Sequence, residues 1–591
     1  MRILIFHGYL LGGTGSNVYN ARLAEALVRL GHDVHLLSQD RHPEAYSFVD
    51  GAGDWDGGIL RVRTVRTPVS SSGSCTVYRP DIGTLLPVYV ADRYEGIEAR
   101  TFAECSEAEV ARYIDANVSA VRELVELVGP QIALANHLVM GPAILARALA
   151  GSDVPYAVKV HGSALEYTVK PDPDRFLPFA REGVSRARAI LVGSHHTAAS
   201  LWRTLDDPEV VKRTRLGPPG VDVLRFAPRD PVTAAAGVRA LAARLRVVPH
   251  ETPTEADRLG GSGEGRGVGP VASPPLRTAT ARAGKEAGAG KEAGAGKGAG
   301  AGKGAGAGKG AGAGKGAGDA FARDEQAAAR ALERLRPDED RLVGFVGKLI
   351  FNKGVDLLLA AWPLVLEREP RARLVVVGFG ADRESLEHLL HALAAGDIER
   401  ARDGAMPHLR AFLDALRGAE RASYITASRA LCEQVVFTGR LDHEELADLL
   451  PACEALVVPS TFPEAFGMVA AEGAACGALP VSARHSGLAE VSETLAGAVD
   501  EQVAAWLSFP VDDHAVAALA ECVSGWLAAD PELRSRTRTS LVATVRERWS
   551  WEGAADGVIA AARGELARQP LTTVRSDRVS PAYGSAHRSG R

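Results

Sequence analysis

The sequence lacks the pairs and runs that mark several common classes. Six cysteines, Cys75, Cys105, Cys432, Cys453, Cys476 and Cys522, are spread over 591 residues with no C-x-x-C pair among them. Neither a zinc knuckle nor a redox dithiol is therefore signalled. Scattered thiols fit a reducing compartment, and the chain is expected to be cytoplasmic. No apolar run approaches the roughly 20 residues of a spanning helix. The opening run, residues 1–7, meets Gly and polar residues too soon for a signal peptide. A peripheral membrane contact stays compatible with this pattern, because it leaves a weaker trace than a span. Charge of one sign is also scarce. A formal net charge of −5 gives no reason to expect nucleic acid as a partner.

What is present is a long alternation of short apolar runs and helical patterns. A chain of 591 residues exceeds one core, so two or three units plus linkers are expected. Residues 3–6 read as a strand, followed by the turn Gly12-Gly13-Thr14-Gly15-Ser16. Leu23, Leu27 and Leu30 then fall at helical spacing before Gly31, and a second strand covers 34–37. Such a β-loop-α-β unit opens a doubly wound parallel sheet. A helix at about 108–128 and strands at 132–135, 157–160 and 189–192 continue it. Residues 42–100 carry no readable code. A second series begins at Leu342, with strands at 342–346, 374–377, 435–438, 455–458 and 479–482 and a helical excursion at 396–430.

Between the series a GAGAGK unit repeats, setting Lys285, Lys291, Lys297, Lys303, Lys309 and Lys315 in register. Gly and Ala bury too little apolar surface to offset ordering entropy, so a flexible basic insertion is expected. A phosphate-binding P-loop is excluded, because no Ser or Thr follows these lysines. The predicted fold class is α/β: two facing Rossmann-like doubly wound domains with a cleft between them, plus a disordered Gly/Ala/Lys insertion.

The chemistry concentrates in Pro463-Glu464-Ala465-Phe466-Gly467-Met468-Val469-Ala470-Ala471-Glu472-Gly473. A strand ends just before it and a helix is expected to start near Phe466. The first amides of a helix have no intrahelical partner and can hold ligand oxygens. Gly467 lets a ligand approach the backbone. Eight residues separate Glu464 from Glu472, about 80° past two full turns, so both can face one ligand. Carboxylates suit vicinal hydroxyls, from which they accept two hydrogen bonds. On spacing alone, two solvated glutamates flanking a core helix fit equally well.

This Glu-x7-Glu segment resembles the signature of retaining glycosyltransferases of family 4, which have the GT-B fold. The resemblance implies that Glu464 binds hydroxyls of the donor sugar and Glu472 the ribose of the nucleotide. It implies that amides around Phe466, Gly467 and Met468 hold the sugar and diphosphate. Val346-Gly347-Lys348-Leu349-Ile350-Phe351-Asn352-Lys353-Gly354 resembles the family's phosphate-binding segment. Lys353 fits directly. Lys348 stands where the family usually has Arg, keeping the charge but losing the bidentate fork. Val436-Phe437-Thr438-Gly439-Arg440 and Ser486-Gly487 also match family segments, with Arg440 placed near the base or phosphates.

In the first half Gly12-Gly13 resembles the Gly-rich loop that approaches the donor phosphates and acceptor. His161-Gly162 resembles the loop whose His faces the donor sugar. Asn136-His137 is placed on the acceptor side, Ser194 after a further strand, and Gly220-Val221-Asp222…Arg225-Phe226 at the close of the first domain. Asp172-Pro173-Asp174 spells the metal-binding Asp-x-Asp of the other glycosyltransferase fold, but it lies in a Pro-rich loop and no metal is expected.

The implied domains are an N-terminal acceptor domain at 1–228, a low-complexity linker at 229–340 and a donor domain at 341–548. A C-terminal helix at 549–568 packs back on the first domain, and a disordered tail occupies 569–591. The implied activity is transfer from an NDP-sugar to an acceptor hydroxyl with retention, Glu464, His161 and Lys353 at its centre, without metal or cofactor. A phosphorylase would need a lysine after Lys353, and none follows. A degenerate domain with a regulatory or scaffold role is the alternative.

Overall fold

The computed structural model describes residues 1–13, 15–67, 73–90, 97–247, 323–568 and 570. The GAGAGK repeat, Thr14 and the expected tail at 569–591, residue 570 excepted, lie outside the described residues.

Apolar runs of four to six residues bounded by polar or Gly residues form parallel strands covered on both faces. The strands of the first half are β1 (Arg2–Phe6), β2 (Asp33–Leu37), β3 (Gly51–Asp56), β4 (Ile59–Thr64) and β5 (Ser74–Arg79). They are followed by β6 (Leu85–Val88), β7 (Glu98–Thr101), β8 (Ile132–Asn136), β9 (Tyr156–Val160), β10 (Ala189–Val192) and β11 (Thr214–Leu216). The sheet order is β11-β10-β9-β8-β1-β2-β5-β3-β4, parallel except for the β3–β4 hairpin. β6 and β7 pair separately. The span without a readable code thus extends the sheet. Its strands escape pattern reading because β3 mixes Gly and Asp, and β4 is an exposed edge with little apolar alternation.

The second half contributes β12 (Arg341–Val346), β13 (Ala372–Val377), β14 (Val435–Gly439), β15 (Cys453–Val458), β16 (Leu479–Ala483) and β17 (Ser508–Phe509). They form an all-parallel sheet in the order β14-β13-β12-β15-β16-β17. Both sheets are α/β and doubly wound. The order reverses between β1 and β8 in the first and between β12 and β15 in the second, and ligands of such sheets sit outside the strand ends at that point.

Helices bound the expected linker at 229–340: the one the sequence predicts at 320–335 is present, and one at the start of the linker is not foreseen. Pro231–Val247 and Glu325–Glu333 are helices, and Val238, Leu241, Ala242, Leu245, Ala328 and Leu332 are buried in the core of the second half. The spacing 238, 241, 242, 245 is helical, but an Ala-rich stretch beside a low-complexity repeat hides it. At the other end, the helix Trp551–Arg563 buries Trp551, Ala555, Val558 and Ala562 among Ile3, Ile5, Leu23 and Leu134 of the first half. Among the described residues, no helix is long and apolar enough to cross a membrane.

Candidate active site

The loops after the two central strands of the second sheet are fastened to each other. β15 runs into residues 459–467 and β12 into 347–354. Thr461 N donates to Asn352 O at 2.9 Å. Gly354 closes the turn Phe351–Lys353 at φ +67, and a Cβ there would run into Pro459 O. Only glycine meets both demands. This junction carries Lys353 to Glu464, where its Nζ pairs with Oε1. Ser460 Oγ donates to the same oxygen at 2.7 Å. The strand-end pair Ser486-Gly487 takes both backbone groups of Glu464. Its N donates to Ser486 Oγ at 2.9 Å, and its O accepts from Gly487 N at 3.0 Å. Burial would raise the Glu464 carboxyl, but the charge and hydrogen bond of Lys353, with Ser460 and His485, outweigh it and hold the group below its usual range.

The helix after this loop is Met468–Ala475, two residues later than expected, with Gly467 before it at φ +129. The Phe466 ring does not face the loop's open side. It is buried edge-on against Trp549, ring centroids 5.4 Å apart, so its backbone is what it can offer a ligand. Met468 is partly buried against the cores of both halves. Glu472 lies inside this helix, 4% exposed, and accepts from His443 Nε2 at 2.7 Å. Lys348 is half-buried on the loop after β12.

The first half presses on the Glu464 loop directly. Beyond β9, Gly162 has φ +93, and a Cβ there would lie 3.2 Å from Ala465 Cβ. A Cβ at Gly193, beyond β10, would lie 2.7 Å from Ala465 O. Ser194 caps the helix His195–Leu205, and Glu490 of the second half accepts from His195 N at 2.7 Å and His196 N at 2.9 Å. Tyr167, in a single π turn at Leu165–Val169, stacks on Phe462 with centroids 5.3 Å apart. Such turns recur at functional sites.

His161 precedes the Gly162 that presses on Ala465, and its own ring lies against His137 and Tyr19. Its orientation comes from below. Asn136 Nδ2 donates to Phe6 O at 3.2 Å, so its Oδ1 faces His161 Nε2 at 2.8 Å and accepts a hydrogen bond from it. That leaves Nδ1 as an acceptor. Burial, with His137, Lys159 and His7 nearby, pushes His161 well below the usual histidine range, so the ring stays neutral. His7 stands in the same layer. Its Nε2 meets Leu10 O at 2.9 Å and Asn17 Oδ1 at 3.1 Å, and its Nδ1 meets Asn20 at 3.0 Å. Asn17 also donates to Gly12 O at 2.7 Å, tying this layer to the Gly-rich turn. Gly13 needs its glycine at φ +96. Gly12 and Arg440 meet around Tyr46 rather than at the Glu464 contact. A Cβ at Gly12 would lie 3.1 Å from Tyr46 Oη, and the charge of Arg440 reaches that phenol. Arg440 itself lies 5.4 Å over the Phe379 ring and 3.7 Å from Asp442.

Asp172 has another use than metal binding. Its side chain caps the helix Pro173–Ser185, accepting from Arg175 N at 3.4 Å. Sequence reasoning missed Ser460, Glu490, His443 and the His7–Asn17–Asn20 layer. Glu490 follows Ser486-Gly487 by one helical turn and was findable there. His443 and the buried layer carry no motif. Lys159 was also missed. It is buried, lowered to about 7 by that burial, bonded to Gly217 O and 5.3 Å from the Tyr19 ring that meets His161 edge-on.

Two family models match this chain. Residues 14–217 match the glycosyl transferase 4-like domain, and residues 331–398 and 417–538 match glycosyl transferases group 1. Among curated relatives, a D-inositol 3-phosphate glycosyltransferase of Segniliparus rotundus is 31% identical over 44% of this chain and 47% of that protein. A glycogen synthase of Mycobacterium tuberculosis is 29% identical over 38% of this chain and 44% of that protein. The chain thus spans about half the length of the curated relatives it matches. Among solved structures, Anabaena HepE in complex with UDP superposes at a TM-score of 0.50 with 14% identity, covering 96% of this chain and 100% of that one. A glycosyltransferase from Rickettsia africae gives 0.50 and 12%, over 96% and 99%. At these identities the likeness is one of fold.

Proposed function

The chain belongs to the GT-B glycosyltransferases, and from that premise we propose that it moves a sugar from a nucleoside-diphosphate sugar to an acceptor hydroxyl with retention of the anomeric configuration. The observation that carries the reading is Glu464. It is held ionised by Lys353 on a loop gripped by Ser486-Gly487 and pressed by Gly162 and Gly193 of the other half. A carboxylate fixed in this way accepts from sugar hydroxyls without having to reorganise. Lys353 then turns its charge to the diphosphate, where negative charge develops as the C1–O bond to phosphate breaks. Lys348 and the amides around Phe466, Gly467 and Met468 share that task, and Arg440 serves the flank with Gly12 and Gly13. His161 Nδ1 accepts from a donor-sugar hydroxyl. Glu472 takes the ribose diol.

The acceptor oxygen bonds to C1 on the face that the phosphate leaves, and its proton passes to the departing phosphate oxygen. No side chain is assigned as a general base, and neither metal nor cofactor enters. The test is a donor-hydrolysis and transfer screen across UDP-, GDP- and ADP-sugars, with UDP-sugars first because HepE was solved with UDP. Proton NMR of the first-formed product reads the anomeric configuration. An inverted product removes the claim of retention. Activity lost to EDTA and restored by Mn²⁺ removes the claim of metal independence. No nucleotide binding at all favours the scaffold alternative.

A further inference from the structure

His443 belongs to none of the matched motifs, yet it holds the glutamate assigned to the ribose. Its Nε2 lies 2.7 Å from Glu472 Oε1, and among the described residues no other side chain donates to that carboxylate. A carboxylate only 4% exposed needs such a donor. The imidazole is itself fixed. Phe226, fully buried at the close of the first half, packs on it with centroids 4.9 Å apart. The neighbouring Glu444 binds Arg225 at 2.6 Å. His443 Nδ1 is buried and has no partner. With Nε2 donating its hydrogen bond to Glu472, Nδ1 is the ring nitrogen left without a partner. An orphaned lone pair is the less costly defect, whereas a second N–H there would be stranded.

We infer that His443 is a positioning residue that sets the rotation of the Glu472 carboxylate and thereby the enzyme's preference for a ribonucleotide donor. One oxygen is engaged by the imidazole. The remaining acceptor sites then point one edge at a vicinal diol, which a 2′-deoxyribose cannot fill. This rests on the reading that Glu472 grips the ribose. It adds that the grip is conditioned from the first half, through Phe226.

The experiment measures binding of UDP, GDP and ADP, each beside its 2′-deoxy form, to the full chain by calorimetry. Steady-state kinetics with the preferred donor accompany it. His443→Phe keeps a ring against Phe226 but donates nothing. His443→Leu repeats the measurement with a smaller side chain, so a folding failure of one leaves the other to decide. Both are expected to weaken ribonucleotide binding about tenfold, the size of a lost hydrogen bond to a charged group. Discrimination against the 2′-deoxy form should fall with it, and KM should rise while kcat changes little. His443→Gln, which restores an N–H donor, is expected to recover most of the discrimination. Unaltered discrimination in the Phe or Leu variant overturns the inference while the donor reading stands. A wild-type chain that binds none of the nucleotides overturns both.

Discussion

The two halves prepare their polar groups at the strand ends by different physics. In the first, the groups that hydrogen-bond to one another are neutral, and Lys159, lowered to about 7 by burial, stands beside them. His7, Asn17, Asn20, Asn136 and His161 hydrogen-bond to one another or to backbone, and burial lowers His7 to about 4 and His137 and His161 well below their usual range. In the second, the groups are ions or their partners. Lys353 pairs with Glu464 and His443 with Glu472. A neutral network keeps its geometry whether or not a ligand is bound. A pair of ions satisfies itself without a ligand and, on the proposed reading, redirects its charge to a diphosphate and a sugar. The first half therefore shapes the site and the second answers charge.

The strongest way to break this contrast is to remove an ion. Lys353→Ala leaves the half-buried Glu464 without its partner, and Glu464→Ala leaves Lys353 without its own. Each is expected to cut kcat/KM by about 100-fold or more, the size of losing one electrostatic stabiliser of the transition state. Because the two act as a unit, the double variant should be scarcely worse than either single one. Additive losses in steady-state transfer assays would show that the pair does not work together. Gly487→Ala tests positioning without touching charge. Its Cβ would lie 2.7 Å from both Phe466 N and Cα, so the loop bearing Glu464 must shift. A displacement near 1 Å can cost up to about 100-fold, and a loss of about tenfold with an unchanged melting temperature is expected. Wild-type rates in that variant would mean that the loop position is not critical.

Legibility in the sequence follows the same division. The ionic half was readable, because Lys353, Glu464 and Glu472 sit at strand ends and helix starts whose spacing carries the signal. The strands were readable too, since buried parallel strands are continuous apolar runs. Three things were not. The hairpin β3–β4 alternates too little apolar residue to announce itself. The helix Pro231–Val247 is masked by the repeat that follows it. The neutral layer was legible only at Asn136, His137 and His161, which end strands; His7 joins them through the parallel register of β1 with β8, and Asn17 and Asn20 reach it from the helix Gly15–Arg29. Phe466 shows which part of a motif residue the sequence leaves open. It lies in the most legible motif, yet its ring belongs to the core against Trp549.

A smaller effect is expected in the neutral half. Asn136→Leu removes the acceptor that fixes the His161 tautomer, stranding Nε2–H or letting the proton move to Nδ1. Transfer should fall about tenfold or less, and stability by about 1–3 kcal/mol for one unsatisfied buried group. Asn136→Asp, which keeps an acceptor, should recover part of the rate in the same assay. An Asn136→Leu enzyme with full activity would detach the layer from function and leave it a matter of folding.

A last comparison separates the halves by pH. His7, His137 and His161 are neutral when folded, with lowered pKa values, while the unfolded chain protonates them near 6.5. The unfolded state then binds more protons below about 6.5, so stability present above that pH declines as it falls toward the folded values, about 4 for His7. Each proton taken up on unfolding contributes about 1.4 kcal/mol per pH unit within that window. Glu464 acts lower. Its folded pKa is depressed, so its contribution is present above its usual value of 4.5 and is lost as pH drops below it. Urea unfolding at pH 7, 6, 5 and 4 should therefore show a decline that starts before Glu464 titrates. Asn136→Leu should alter the upper part of that decline, whereas Lys353→Ala should alter only its acid end. If both variants change the same window, the neutral layer and the ion pair are coupled, and the division between the halves fails.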